Sequence, residues 1–106
     1  MKFERKYSEI TYKGKKYQVG SLNVSQTINM RSRFRRADVQ NDEVGAIELM
    51  VDFLAMSLTK PKMTSKTLQE GLSLDELHSL FEKVAIIQGF LEPKNAPKRK
   101  PRQKKN

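Results

Sequence analysis

Residues 42–61 read Asp-Glu-Val-Gly-Ala-Ile-Glu-Leu-Met-Val-Asp-Phe-Leu-Ala-Met-Ser-Leu-Thr-Lys-Pro, and this stretch predicts the central helix around which the chain folds. Asp42 is a suitable N-cap residue, and negative charge is favourable at the start of a helix. Because Pro61 disfavours helical backbone in the residue before it, we expect the helix to span residues 43–58. Apolar residues surround its axis almost completely, which is typical of a buried helix. They form one wide face (Val44, Ile47, Met50, Val51, Leu54, Ala55 and Leu58) and a second, smaller face (Leu49, Phe53 and Met56).

The residues before this helix predict a β-hairpin over residues 8–20. Apolar and polar residues alternate on both sides of Gly14, which is the residue that adopts a positive φ most easily at a turn. A two-stranded hairpin is only marginally stable alone in water, so we expect it to pack on a helix or on another subunit. The residues of its expected inner face are Ile10, Tyr12, Tyr17 and Val19.

Three further helices are expected around the central one. Ser25 is expected to cap the first, which would be followed by a polar loop over residues 37–41. Thr64 or Ser65 would cap the second, and a capping box beginning at Ser73 would open the third. The predicted fold class is therefore α+β, mainly α, with an N-terminal β-hairpin followed by a small helical bundle. The expected bounds of the three helices are 25–36, 64–70 and 73–88.

The net charge of +9 is unevenly distributed along the chain. Residues 1–93 contain fourteen basic and twelve acidic residues, whereas residues 94–106 contain seven basic residues and no acid. The last segment also lacks apolar periodicity, so it cannot offset the entropy cost of becoming ordered. We therefore expect a single folded domain over 1–93 and a disordered basic tail over 94–106. Such a tail is either a solubilising end without a specific target or a nucleic-acid-binding segment.

Composition disfavours several classes of protein. The chain has no cysteine, which excludes disulfides and thiolate metal sites. No apolar run approaches the roughly 18 residues that span a bilayer, and residues 1–7 lack the apolar segment of a signal peptide. We therefore expect a cytoplasmic protein that does not associate with membranes.

No group of residues predicts catalysis. The single histidine, His78, lies on the polar face of the last predicted helix, where a solvated side chain is the simplest interpretation. The chain contains neither a glycine-rich phosphate loop nor an HExxH-like metal motif. We therefore predict a protein that is not an enzyme and that binds no cofactor or metal.

Two features predict macromolecular binding instead. The first is the smaller helix face, which is either covered by the hairpin and last helix or exposed as a site for a partner or for self-association. The face in question consists of Leu49, Phe53 and Met56. The second feature is a set of basic residues that would neutralise nucleic-acid phosphates without the spacing of a sequence-reading motif. The basic set comprises Arg31, Arg33, Arg35, Arg36, Lys98, Arg99, Lys100 and Arg102.

Three stretches occur in an order that is similar to that of a known family. They are Ile-Thr-Tyr-Lys-Gly-Lys-Lys-Tyr-Gln-Val at 10–19, Val-Gly-Ala-Ile-Glu-Leu-Met-Val-Asp-Phe-Leu-Ala-Met-Ser-Leu at 44–58, and Leu-Gln-Glu-Gly-Leu-Ser-Leu-Asp-Glu-Leu-His-Ser-Leu-Phe-Glu-Lys-Val at 68–84. Over about residues 8–92 the chain resembles the tail assembly chaperones of long-tailed bacteriophages (siphoviruses) and related prophages. In that family a β-hairpin precedes a small helical bundle.

The resemblance implies a function in virion morphogenesis. Members of the family coat the tape-measure protein, a long, helical and apolar ruler, and keep it soluble until tail-tube subunits replace the chaperone. The resemblance also implies oligomers and a location in the cytoplasm of the bacterial host during phage assembly. Many members have a longer product that is made by a programmed −1 frameshift near the end of the reading frame. A-rich slippery codons would encode a run such as Lys104-Lys105-Asn106.

The residues leave two other functions open. A basic nucleic-acid-binding accessory protein would use the arginines and the tail to contact phosphates. A structural subunit of the tail or of the head–tail joint would instead be incorporated stably into the particle.

Overall fold

The computed structural model describes residues 4–91, and it has the predicted α+β, mainly α fold. The expected tail, residues 94–106, lies outside the described residues. Within residues 4–91 no helix is long and apolar enough to cross a bilayer. The elements are, in chain order, β1 (Tyr7–Tyr12), β2 (Lys15–Gly20), α1 (Val24–Gln40), α2 (Glu43–Ser57), β3 (Leu58–Lys60), α3 (Ser65–Gly71) and α4 (Leu74–Ile87).

β1 and β2 form the predicted hairpin. The strands are antiparallel, with Ile10 opposite Tyr17. The two turn residues, Lys13 and Gly14, both have positive φ (51° and 77°), as a type I′ turn requires. Tyr17 and Val19 are buried, so the hairpin is stabilised by packing its inner face on the helices of the same chain.

α1 is longer than the predicted 25–36, and the prediction that Ser25 caps it is wrong, because Ser25 lies inside the first turn. Asn23 caps it in a capping box, because its side chain accepts from the Gln26 N–H at 2.8 Å and its own N–H donates to the Gln26 side chain at 3.0 Å. At the other end Asn41 adopts the left-handed conformation (φ 53°), and its N–H bonds to carbonyls of the last turn. The prediction of a polar loop over 37–41 is therefore wrong, since α1 continues with a polar turn until a left-handed asparagine ends it.

α2 begins as predicted, and its end leads into a strand that was not predicted. The Asp42 carboxylate accepts from the Gly45 N–H at 2.9 Å. The helix stops at Ser57, because Leu58 takes up extended backbone (φ −79°, ψ 121°) and starts β3. Val19 of β2 lies opposite Leu58, which gives an antiparallel sheet in the order β1-β2-β3.

The N-caps of α3 and α4 confirm the predicted helix starts. Thr64 caps α3 and Ser73 caps α4. Ser73 Oγ accepts from the Glu76 N–H at 3.3 Å, and the Glu76 carboxylate accepts from the Ser73 N–H at 2.9 Å. This capping box satisfies two backbone donors that a helix start otherwise leaves without partners.

α2 lies at the centre of the fold and packs against α1, α3, α4 and β3. Phe53 and Leu54 have no exposed surface at all. The prediction that α2 is a buried helix is therefore confirmed, because neighbouring elements cover it on several sides. The buried apolar cluster consists of Tyr17, Val19, Met30, Val51, Phe53, Leu54, Leu58, Leu68, Leu77, Leu80, Val84 and Ala85.

Two polar side chains connect the sheet to the helices. The Arg5 guanidinium donates to the Met56 carbonyl at 2.8 Å and to the Ser21 carbonyl at 3.1 Å, so it satisfies a carbonyl in the last turn of α2. The Gln88 amide donates to the Gly20 carbonyl at 2.7 Å and to the Ser57 hydroxyl at 3.2 Å. These bonds connect the end of β2 to the last turn of α2 and to Gln88, which follows α4.

Candidate functional site

The structure places most of the smaller α2 face in the interior. Phe53 is 0% exposed, Leu49 is 5% exposed and Met56 is half-buried against the core. Of the two interpretations of this face, the structure shows the covered one, because α1, α4 and the segment after α4 pack over it. Leu49 and Phe53 therefore do not form an exposed patch on the folded chain.

The cover over Phe53 consists of three other phenylalanines. Its ring centroid lies 6.1 Å from that of Phe34 on α1, 5.3 Å from that of Phe81 on α4 and 5.0 Å from that of Phe90. The interplanar angles of 65–72° are typical of edge-to-face pairs, which aromatic rings favour. The three covering rings are only half-buried, so their outer sides lie at the surface.

A groove opens on the outer side of these rings, between α1, α2 and α4. Its volume is about 470 Å³, which is within the range of ligand-binding clefts. We call it the aromatic groove and define it by its apolar floor and two arginines. The floor consists of Phe34, Ala46, Met50, Phe81 and Phe90, Leu91 lies at one end, and Arg31 and Arg35 form the rim.

The two rim arginines differ in how firmly the fold holds them. Arg31 donates to the Gly89 carbonyl at 3.1 Å, and its guanidinium carbon lies 4.5 Å from the centroid of the Phe90 ring. This cation–π contact and hydrogen bond fix the head group beside the groove. Arg35 lies one turn further along α1, is exposed, and forms no hydrogen bond or ion pair within residues 4–91. No acidic residue in that part of the chain lines the groove.

The other two predicted arginines lie elsewhere. Arg33 forms an ion pair with Asp52 at 3.0 Å, and the Ser65 hydroxyl donates to the same carboxylate at 3.1 Å. Arg36 is exposed beside a polar cleft that also contains Asp42 and Glu48. The structure therefore brings Arg31 and Arg35 together and separates them from Arg33 and Arg36. The remaining predicted basic residues, Lys98, Arg99, Lys100 and Arg102, lie outside the described residues.

The free edge of β1 is a second feature with binding capacity. Tyr12 and Lys15 flank the two-residue turn and form a hydrogen-bonded pair, and such pairs alternate along an antiparallel ladder. The backbone groups of Tyr7, Glu9 and Thr11 therefore point away from β2. Within residues 4–91 no strand pairs with them.

The titratable groups show one clear perturbation. Lys13 on the hairpin turn donates to the Glu76 carboxylate on α4, and this contact, with the Ser73 N–H, lowers the pKa of Glu76 to about 2. The same hydrogen bond raises the pKa of Lys13. His78 is exposed on α4, as expected. Within residues 4–91 no three histidine or acidic side chains are grouped in a way that could hold a metal ion.

Comparison with known proteins gives no relative, since neither a family model, nor a curated protein, nor a solved structure matches the chain. The aromatic groove was not predicted as a site. The only local signal for it is the spacing of Arg31, Phe34 and Arg35, which places the three side chains on one side of α1. The features of residues 4–91 that could bind a partner are therefore the groove, its arginine rim and the free edge of β1.

Proposed function

We propose that the protein is a tail assembly chaperone of a long-tailed bacteriophage, which binds the tape-measure protein and keeps it soluble during tail morphogenesis. The observation that carries the proposal is the aromatic groove, an open apolar surface with two arginines on its rim. We place this activity in the cytoplasm of the bacterial host, where tails assemble, and assign no enzymatic step to it.

The floor of the groove suits the side chains of an apolar helix. Aromatic rings supply large contact areas, and the flexible thioether of Met50 adapts to anchors of different shape. A helix that lies in such a groove buries residues spaced at i, i+3, i+4 and i+7. Each fully buried leucine or phenylalanine contributes about 1.5–3 kcal/mol, so a few anchors give binding that tail-tube subunits can displace.

Coating a long ruler requires several chaperone copies, and the edge of β1 supports self-association. An exposed strand edge presents N–H and carbonyl groups that pair readily with a strand of another chain. Two copies that pair antiparallel with Ile10 opposite Ile10 of the second copy place Glu9 opposite Thr11. This register avoids two glutamates directly opposite each other, which would be destabilising.

The proposal is tested by expressing the tape-measure protein of the same phage with and without this chain. The measured quantity is the fraction of tape-measure protein that stays in the supernatant after centrifugation. We expect a high soluble fraction with the wild-type chain and a reduced one with Met50→Gln, which places an amide in the groove floor. Met63→Gln is the matched control, because Met63 is also half-buried against the core but lies outside the groove.

Two outcomes would overturn the proposal. One is an equally insoluble tape-measure protein with and without the wild-type chain. The other is stable incorporation of the chain into finished tails, which would indicate a structural tail or head–tail subunit instead. Equal solubility with the Met50 and Met63 variants would exclude the groove as the site and leave the chaperone activity standing.

A second candidate function is non-specific nucleic-acid binding. Arg35 and Arg36 are exposed and form no ion pair within residues 4–91, and residues 94–106 contain seven further basic residues. Contacts to phosphates predict an affinity for duplex DNA or RNA that falls steeply between ~50 and ~200 mM salt. Deleting residues 94–106 would remove that binding, and a salt-independent affinity would contradict this candidate.

A further inference from the structure

We infer that the aromatic groove binds an amphipathic helix in which acidic residues flank the apolar anchors. This inference rests on the proposed function, and it specifies the kind of tape-measure segment that the chaperone would select. The groove combines an apolar floor with a positively charged rim. The floor therefore determines the apolar face of the bound helix, and the rim determines the charge of the residues beside that face.

The floor determines the apolar face of the partner. Phe34 lies 5.7 Å from Phe81 and 6.3 Å from Phe90 between ring centroids, so the three rings form one continuous surface. Ala46 and Met50 extend this surface along one side of α2. They lie four residues apart, so about one helical turn of length separates them. A helix with two or more large apolar residues one turn apart matches this surface.

The rim determines the charge of the partner. Arg31 and Arg35 lie four residues apart on α1, so their head groups follow each other at the spacing of one helical turn. No acidic side chain within residues 4–91 lines the groove to neutralise them. Carboxylates on a bound helix would form charge-assisted hydrogen bonds with guanidinium groups, whereas lysines at the same positions would be repelled.

The C-terminal segment of the chain itself has the wrong charge to be the occupant. It follows Leu91 in the sequence, and it has Glu92 as its only acid beside seven basic residues. The rim arginines would repel a segment of this charge, whereas an acidic partner would be attracted.

The test measures the binding of designed helical peptides to the full-length protein by fluorescence anisotropy at ~50 mM salt. One labelled 20-residue peptide carries leucine and phenylalanine at i, i+3, i+4 and i+7 with glutamates beside them. Its counterpart has lysine in place of every glutamate. We expect the glutamate peptide to bind at least tenfold more tightly than the lysine peptide, because both rim arginines attract glutamate and repel lysine.

Two variants with the same change of charge give the control. Arg35→Glu should weaken binding of the glutamate peptide about fivefold, since it reverses one rim contact near the surface. Arg36→Glu, one residue further along α1 and outside the groove, should change the affinity less than twofold. Both side chains are exposed, so thermal unfolding should show both variants to be folded.

Several results would overturn the inference. They are equal affinities for the two peptides, equal effects of the two arginine variants, or displacement of the glutamate peptide by a synthetic peptide of residues 92–106. Dissociation of a protein oligomer by the glutamate peptide would likewise overturn it, because a second copy would then occupy the groove. If the peptides behave as expected while the tape-measure protein stays insoluble, the proposed function fails and the groove specificity stands. If the chain keeps the tape-measure protein soluble while the two peptides bind equally, the proposed chaperone function stands and the inferred preference for acidic helices fails.

Discussion

Replacing Phe53 by alanine should remove a large part of the stability of the fold. The ring has no exposed surface and contacts three other phenylalanine rings at centroid distances of 5.0–6.1 Å. Truncating a buried phenylalanine costs about 3–5 kcal/mol, which includes the cavity that it leaves. A domain of this size has a total free energy of unfolding of roughly 4–13 kcal/mol. The variant should therefore unfold about 12 °C or more below the wild type, or not fold at all.

The assay is urea unfolding followed by circular dichroism at 222 nm, with the midpoint and the slope fitted separately. Glu48→Ala is the control on the same helix, because Glu48 is exposed and its loss should change the free energy of unfolding by less than about 0.5 kcal/mol. A Phe53→Ala variant within about 1 kcal/mol of the wild type would refute the buried position. It would restore the interpretation of Leu49, Phe53 and Met56 as an exposed binding face.

Three further perturbations test other parts of the structure. Gln88→Ala breaks the bonds between β2 and the helices and should lower the free energy of unfolding by about 1–3 kcal/mol in urea, whereas the exposed Gln69→Ala should leave it unchanged. Glu76→Gln should reduce stability above pH 5 and leave it unaffected near pH 2. The reason is that the pKa of Glu76 is lowered from 4.5 to about 2, so the contribution of its carboxylate to stability is lost as the pH falls from 4.5 to 2. If urea titrations at pH 2 still showed a difference in stability between this variant and the wild type, this explanation would be wrong. Thr11→Pro removes an outward-pointing N–H of β1 and should reduce self-association measured by sedimentation velocity, while Thr11→Val should associate like the wild type. Equal association of the two variants would exclude the edge of β1 as the site of self-association.

Local sequence signals predicted most helix starts and failed where the determining contacts are distant. The caps at Asp42, Thr64 and Ser73 are each recognisable within four residues, because the capping hydrogen bond is itself local. The last turn of α1 contains exposed residues without apolar periodicity, so nothing in its pattern indicated a helix. β3 has three residues, which is too short to show alternation, and it exists only because β2 pairs with it.

The candidate site was predicted less well than the fold, because its residues come from distant parts of the chain. Sequence alone groups four arginines within six positions, yet the helical period divides them among the groove rim, an ion pair with Asp52 and a polar cleft. In the same way, the apolar periodicity of α2 identifies Phe53 as part of a face without showing what covers that face. The covering rings belong to residues 34, 81 and 90, and only tertiary packing brings them together.

The covered face of α2 and the position of the aromatic groove have one structural cause, which also explains where the proposed binding surface lies. Phe53 is large enough to fill the space below Phe34, Phe81 and Phe90, and the outer sides of those three rings stay partly accessible. The apolar surface available to a partner is thus displaced outward by one layer of rings from the α2 face that the sequence indicated. Arg31 stacks on Phe90 in that outer layer and bonds to the Gly89 carbonyl, so the charge of the rim and the apolar floor are held by the same contacts. A partner that binds the floor necessarily meets the guanidinium, which is why the charge of the bound helix and its apolar spacing should be selected together.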